Sequence, residues 1–170
     1  MTPLLLALAL LAADPAPLAS GVPVGKRPGP YSFLVATGPH RGKQTCLICD
    51  QAEKPACVVF ARTVTPELGR LLAKLDAEAA RRTDGFKAWL TVLADTADLD
   101  GLAKWAQGQG LKLPVGAFEG VAGPPAYTLH PDADVTVLVF VKEKVTANVA
   151  VKTLTADVLA DVVRAVGECK

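Results

Sequence analysis

The sequence predicts an α/β domain with a central mixed sheet flanked by helices, and three observations carry that prediction. The run Ala56-Cys57-Val58-Val59-Phe60-Ala61 is continuously apolar and rich in β-branched residues, the pattern of a strand buried on both faces. Leu68, Leu71, Leu72, Leu75 and Ala79 follow at i, i+3, i+4, i+7 and i+11, one apolar stripe of a helix. A second apolar strand, residues 88–94 (AWLTVLA), comes next. Strand, helix and strand in alternation imply parallel pairing.

The remaining elements follow in order along 170 residues, a length that suits one domain. Leu4 to Ala13 is an apolar run of about ten residues, the size of a signal-peptide core and short of the roughly 20 needed to span a bilayer. Residues 1–20 are therefore expected to be an export signal, and the chain to work outside the cell or in a periplasm. Residues 21–30, with Pro23, Pro28 and Pro30, are expected to form an extended, non-helical tether. The domain is expected over 31–170. Tyr31 to Thr37 reads as a strand, Gly38 to Gly42 as a turn and Thr45 to Cys49 as the return strand of a hairpin.

After the central strand, Thr65-Pro66-Glu67 starts a helix. Threonine can cap the free amides, proline at the first helical position forfeits no hydrogen bond, and the acid meets the positive helix end. Leu99, Leu102, Ala103 and Ala106 mark another helix, stopped by Gly108 and Gly110. Leu113 to Phe118 is a short apolar segment, and 135–141 (VTVLVFV) with 145–151 (VTANVAV) makes a hairpin. A final helix over 156–166 is capped by Thr155 and stapled by Leu154 on Leu159.

Composition excludes several activities. Basic and acidic side chains balance to a net charge of +1, so no global field exists to hold nucleic acid or an acidic membrane. Only two serines and two histidines are present, without G-x-S-x-G, a Walker A loop or H-E-x-x-H. Serine hydrolase, P-loop and zincin chemistry fall away, and no cofactor is expected.

This order of elements resembles the thioredoxin fold, and within it the peroxiredoxin-like and cytochrome-maturation branch of thiol-disulfide oxidoreductases. The likeness runs from about Phe33 to Val166. It rests on Phe33-x-Val35, Gly42 and Leu47 in the leading hairpin, Lys54-Pro55 entering the central strand, Gly110-Leu111-Lys112-Leu113-Pro114-Val115, and Gly123-Pro124-Pro125-Ala126-Tyr127. The resemblance implies a cysteine where the central strand meets its helix, and there this chain has Thr65-Pro66. It implies a cis-proline before the terminal hairpin, and there this chain has Asp134-Val135-Thr136. Thr65 cannot do thiol chemistry and is expected to serve as the helix cap, so the inherited site is expected to be degenerate.

The strongest remaining chemical signal is Cys46-x-x-Cys49, whose spacing allows a small reducible disulfide if the backbone turns between the two. It lies before the central strand, at the end away from Thr65. A structural disulfide, a redox pair, unpaired thiols and a metal site all stay open. Cys57 is expected to be inert core, and Cys169 exposed or bridged, with Cys57 as one partner. His40 reads as a solvated turn residue. His130 reads as a loop residue, although thioredoxin-fold copper chaperones place a histidine in a similar region. Trp89 and Trp105 read as core, the charged run Glu78 to Asp84 as a solvated helix end, and Tyr31 and Tyr127 as residues that could line a groove.

Three functions follow. The first is a redox-silent domain that binds peptide segments or serves structurally, the second a thiol-disulfide oxidoreductase acting on protein thiols through Cys46 and Cys49, and the third a copper or zinc carrier.

Overall fold

A computed structural model describes residues 18–51 and 53–170; the run from Leu4 to Ala13 lies outside them. Among the described residues seven strands form one sheet: β1 (Phe33–Val35), β2 (Gln44–Thr45), β3 (Ala56–Ala61), β4 (Lys87–Ala94), β5 (Val115–Glu119), β6 (Val135–Val141) and β7 (Lys144–Val151). The helices are α1 (Leu47–Gln51), α2 (Pro66–Arg81), α3 (Leu99–Gly108) and α4 (Ala156–Glu168). The sheet order is β2-β1-β5-β4-β3-β6-β7. β3 lies parallel to β4 and antiparallel to β6, and β4 lies parallel to β5, so the expected mixed sheet with a central β3 is observed.

β3 is central because all six of its residues are buried, and pleating sends them alternately into two cores. Cys57, Val59 and Ala61 join Leu68, Leu71, Leu72 and Leu75 of α2, Leu102 and Ala106 of α3, and Val162 and Val166 of α4. Val58 and Phe60 join an aromatic core with Tyr31, Phe33, Trp89, Tyr127 and Phe140. Burying each such side chain contributes about 1.5–3 kcal/mol, which offsets the ordering of the strands and makes this pattern decisive for the fold. Within the aromatic core the Tyr31 hydroxyl bonds the Thr91 hydroxyl at 2.7 Å and accepts Trp89 Nε1–H at 2.9 Å, leaving none of the three orphaned. Tyr31 and Tyr127 are thus core residues, with 7% and 0% exposure, rather than the lining of a groove.

Gly116 shows how closely the leading hairpin approaches. A Cβ there would lie 2.2 Å from the Leu34 carbonyl oxygen, in the middle of the β1–β5 pairing. At the other end of the sheet, the β6–β7 turn places Lys142 at φ 50° and Glu143 at φ 59°, two consecutive left-handed residues of the kind a tight two-residue hairpin demands. The pairing register shifts between Val139 and Phe140, where β7 carries one extra residue, Thr146, just after that turn.

Two expectations are corrected here. The lead-in is non-helical, but it is a strap fastened to the sheet rather than a tether. Ser20 is buried and its hydroxyl bonds Thr136 at 2.8 Å, Asn148 Nδ2 donates to the Ser20 and Val22 carbonyls, and the strap exchanges backbone hydrogen bonds with Val145 through Gly25 and Lys26. Arg82, expected in a solvated run, has only 9% side-chain exposure. Its guanidinium donates to the Val166 and Cys169 carbonyls and lies 4.6 Å over the Phe86 ring, closing the carbonyl end of α4.

Candidate functional site

The return strand expected over 45–49 stops at Thr45, and the chain turns at once into α1. A strand would send side chains at i and i+3 to opposite faces, whereas one helical turn brings them together. The Cα atoms of Cys46 and Cys49 lie 5.3 Å apart and their sulfurs are bonded. Leu47 drives this turn by inserting into the aromatic core. Gln51 pins its far end: its buried side-chain amide donates to the Pro55 carbonyl at 2.9 Å and the Gly85 carbonyl at 3.1 Å, tying α1 to the entries of β3 and β4. Its Oε1 is buried without a hydrogen-bond partner among the described residues.

The two sulfurs are not equivalent. Cys46 is half-buried, and its Sγ accepts the backbone N–H of Cys49 at 3.3 Å; Cys49 is exposed. A hydrogen bond to sulfur favours the thiolate over the thiol, so Cys46 is the better leaving group and Cys49 the sulfur that an incoming thiolate can reach.

A cavity of about 530 Å³ opens beside Cys49, with Ile48, Phe140, Glu143 and strap residues Arg27, Pro28 and Pro30 among its walls. Phe140 is paired with Ala56, the first residue of β3, whereas Thr65 follows the last. The disulfide therefore occupies the end of the sheet opposite Thr65, as the sequence order implied.

At the Thr65 end the geometry is that of a cap. Thr65 Oγ1 accepts the Leu68 N–H at 3.1 Å, and Pro66 opens α2. Where the resemblance implies a cis-proline, the Asp134 carboxylate accepts the Thr63 hydroxyl at 2.8–2.9 Å; among the described residues no peptide bond is cis. Arg62 fills the rest of this corner by donating to the carbonyls of Val121, His130 and Ala133.

The other cysteines are buried, free thiols. Cys57 lies in the core beneath α2, where burial pushes its thiol well above the ordinary range. Cys169, expected to be exposed or bridged, is neither. It is 3% exposed, its Sγ is 3.5 Å from the Phe140 carbonyl oxygen, and burial raises its thiol too. Arg82 explains the correction, because by bonding the Cys169 carbonyl it draws the chain end inward. His40 is exposed. His130 Nδ1 accepts the Asp132 N–H at 3.1 Å in the loop before β6, near Ser20 and away from the disulfide. Among the described residues no three His, Cys, Asp or Glu side chains converge as a metal site would require. Trp89 is fully buried in the aromatic core, and Trp105 of α3 packs half-buried against the separate helix-side core.

Sequence reasoning missed the cavity and the Gln51 anchor. The cavity is assembled from three distant segments, and only the paired prolines of the strap hinted at a fixed wall.

No family model matches the sequence, and no curated protein matches it. Solved structures do. The solution structure of a candidate protein disulfide isomerase from Bacteroides thetaiotaomicron is 16% identical, with a TM-score of 0.67 over 89% of this chain and 94% of that one. A candidate thiol:disulfide interchange protein DsbE from Chlorobium tepidum is 12% identical, with a TM-score of 0.67 over 86% and 97%. Peroxidoxin BcpB from Mycobacterium tuberculosis is 15% identical, with a TM-score of 0.62 over 86% and 97%. Likeness at such low identity establishes architecture, and by its architecture the chain is a thioredoxin-like α/β domain.

Proposed function

We propose that the protein is an exported thiol-disulfide exchange protein whose working bond is Cys46–Cys49, relocated to the opposite end of the sheet from the degenerate Thr65 position. One observation carries this reading: the bond joins an exposed cysteine, Cys49, to a half-buried one, Cys46, whose sulfur already accepts an amide hydrogen bond. A substrate thiolate attacks Cys49 Sγ, the Cys46–Cys49 bond breaks, and its electron pair leaves on Cys46 as a thiolate held by the Cys49 N–H. A second thiolate then attacks the substrate sulfur of the mixed disulfide and releases Cys49. The net change is one protein disulfide reduced and one substrate disulfide formed, and the reverse sequence reduces a substrate disulfide.

The apolar run Leu4 to Ala13 supports export, and an oxidising compartment would keep the bond closed at rest. No helix among the described residues is long and apolar enough to cross a membrane. The test is turnover of insulin or glutathione disulfide by the full chain. It is expected to vanish in Cys46→Ser and in Cys49→Ser and to survive in Thr65→Ala; turnover that persists in Cys46→Ser overturns the assignment. The capped, thiol-free corner at Thr65 favours the alternative of a redox-silent binding domain, and that alternative stands if the wild type exchanges nothing.

A further inference from the structure

The cavity beside Cys49 defines a substrate class for this exchange reaction, and the inference rests on that reaction. Three elements build its walls: the strap with Arg27, Pro28 and Pro30, α1 with Ile48 and Cys49, and the β6–β7 hairpin with Phe140 and Glu143. Its volume of about 530 Å³ falls in the range of small-molecule sites. Two backbone irregularities adjoin it, the β7 bulge opposite the Val139–Phe140 step and the left-handed turn that holds Glu143. Such features recur where a side chain must be aimed.

The rim carries one charge of each sign. Arg27 Nη2 and Glu143 Oε1 are 2.5 Å apart, with side chains 71% and 41% exposed. An ion pair this exposed adds little to stability, so a ligand that divides it takes up two charges at small cost. The same cavity is lined by the apolar surface of Pro28, Pro30, Ile48 and Phe140. An extended polypeptide needs a row of free backbone groups to pair with. The strap offers few, because Pro28 and Pro30 have no N–H and the Gly29 carbonyl already accepts the Tyr127 hydroxyl at 2.7 Å.

We infer that the cavity recognises a low-molecular-weight thiol or disulfide carrying both a carboxylate and an ammonium group, a cysteinyl peptide of two or three residues, with its carboxylate on Arg27, its ammonium on Glu143 and its sulfur at Cys49. The exchange steps are those given above, with this thiol as the attacking thiolate and its symmetric disulfide as the oxidised product. Arg27 and Glu143 are specificity-determining residues and touch no electron pair that moves.

The experiment follows reduction of the oxidised full chain by acid quench, alkylation and intact mass, with glutathione, β-mercaptoethanol or a reduced, unfolded protein as separate reductants. With glutathione the rate is expected to saturate. Per thiolate it should exceed that with β-mercaptoethanol about tenfold, the worth of one charge-assisted hydrogen bond. Arg27→Ala and Glu143→Gln should each remove most of that advantage, with circular dichroism and the melting midpoint reporting that the variants are folded. A glutathione rate that rises linearly without advantage, an advantage that survives both substitutions, or an unfolded protein that outpaces glutathione overturns the inference. If β-mercaptoethanol opens the bond and glutathione gains nothing, recognition alone fails. If neither opens it, the exchange reaction fails as well.

Discussion

Opening the Cys46–Cys49 bond separates a pair kept for stability from a pair kept for exchange, and the expected size follows from its place in the chain. The two cysteines are three residues apart, so the bond closes a very small ring. Chain-entropy reasoning assigns roughly 2 kcal/mol to so short a ring, against nearly 5 kcal/mol for a ring of about a hundred residues. In a domain of this size 1 kcal/mol moves the melting midpoint by about 2–4 °C, so reduction should lower it by roughly 4–8 °C. α1 has moorings that do not depend on sulfur, Leu47 in the aromatic core and the two hydrogen bonds of Gln51. The transition should therefore stay cooperative. Melting followed by circular dichroism, with and without a phosphine reductant and alongside Cys46→Ser/Cys49→Ser, measures the effect. A fall of more than roughly 15 °C, or loss of cooperativity, would make the bond a structural staple and leave no folded dithiol form to take part in a cycle.

Other outcomes follow from the same contacts. Tyr31→Phe strips Trp89 Nε1–H and the Thr91 hydroxyl of a buried partner, and should cost about 1–3 kcal/mol in urea unfolding with an unchanged slope. An unchanged midpoint would remove the network from the account of the core. Thr65→Ala should cost about 1 kcal/mol and leave exchange intact, as expected of a cap; loss of exchange would move the chemistry back to that corner. Burial raises the Tyr31, Tyr127 and Cys57 ionisations in the folded state, so each stabilises the fold fully below its unfolded value and loses that contribution as pH climbs past it. Denaturation at graded pH should show stability falling from about pH 8.5 as unfolded Cys57 ionises. The decline should steepen above about pH 10 as the tyrosines join, each group adding up to about 1.4 kcal/mol per pH unit. A flat profile to pH 11 would mean that these groups are solvated.

Much of the architecture is legible in the chain because burial leaves a periodic trace. β3 is apolar at every position, α2 repeats its leucines at helical spacing, and Thr65 and Thr155 announce the helices they cap. The segment 45–49 is different. Its threonine, leucine, isoleucine and cysteines have the composition of a strand, and what turns it into a helix is one bond and the insertion of Leu47, neither of which has a period. The strap is opaque for a related reason. Its prolines state that it is not helical, yet its partners Thr136, Val145 and Asn148 lie more than a hundred residues away. Arg82 misleads in the opposite direction, since a charge among charges reads as solvated until the open carbonyls of α4 arrive beside it.

The guanidinium of Arg62 has a consequence for anyone redesigning this protein. By gripping the carbonyls of Val121, His130 and Ala133 it stitches together the loops that border the Thr65 corner, so a cysteine grafted at position 65 would sit beside a sutured surface. Unpicking that suture has to come before the graft, and the carbonyls it releases would then have to find new donors.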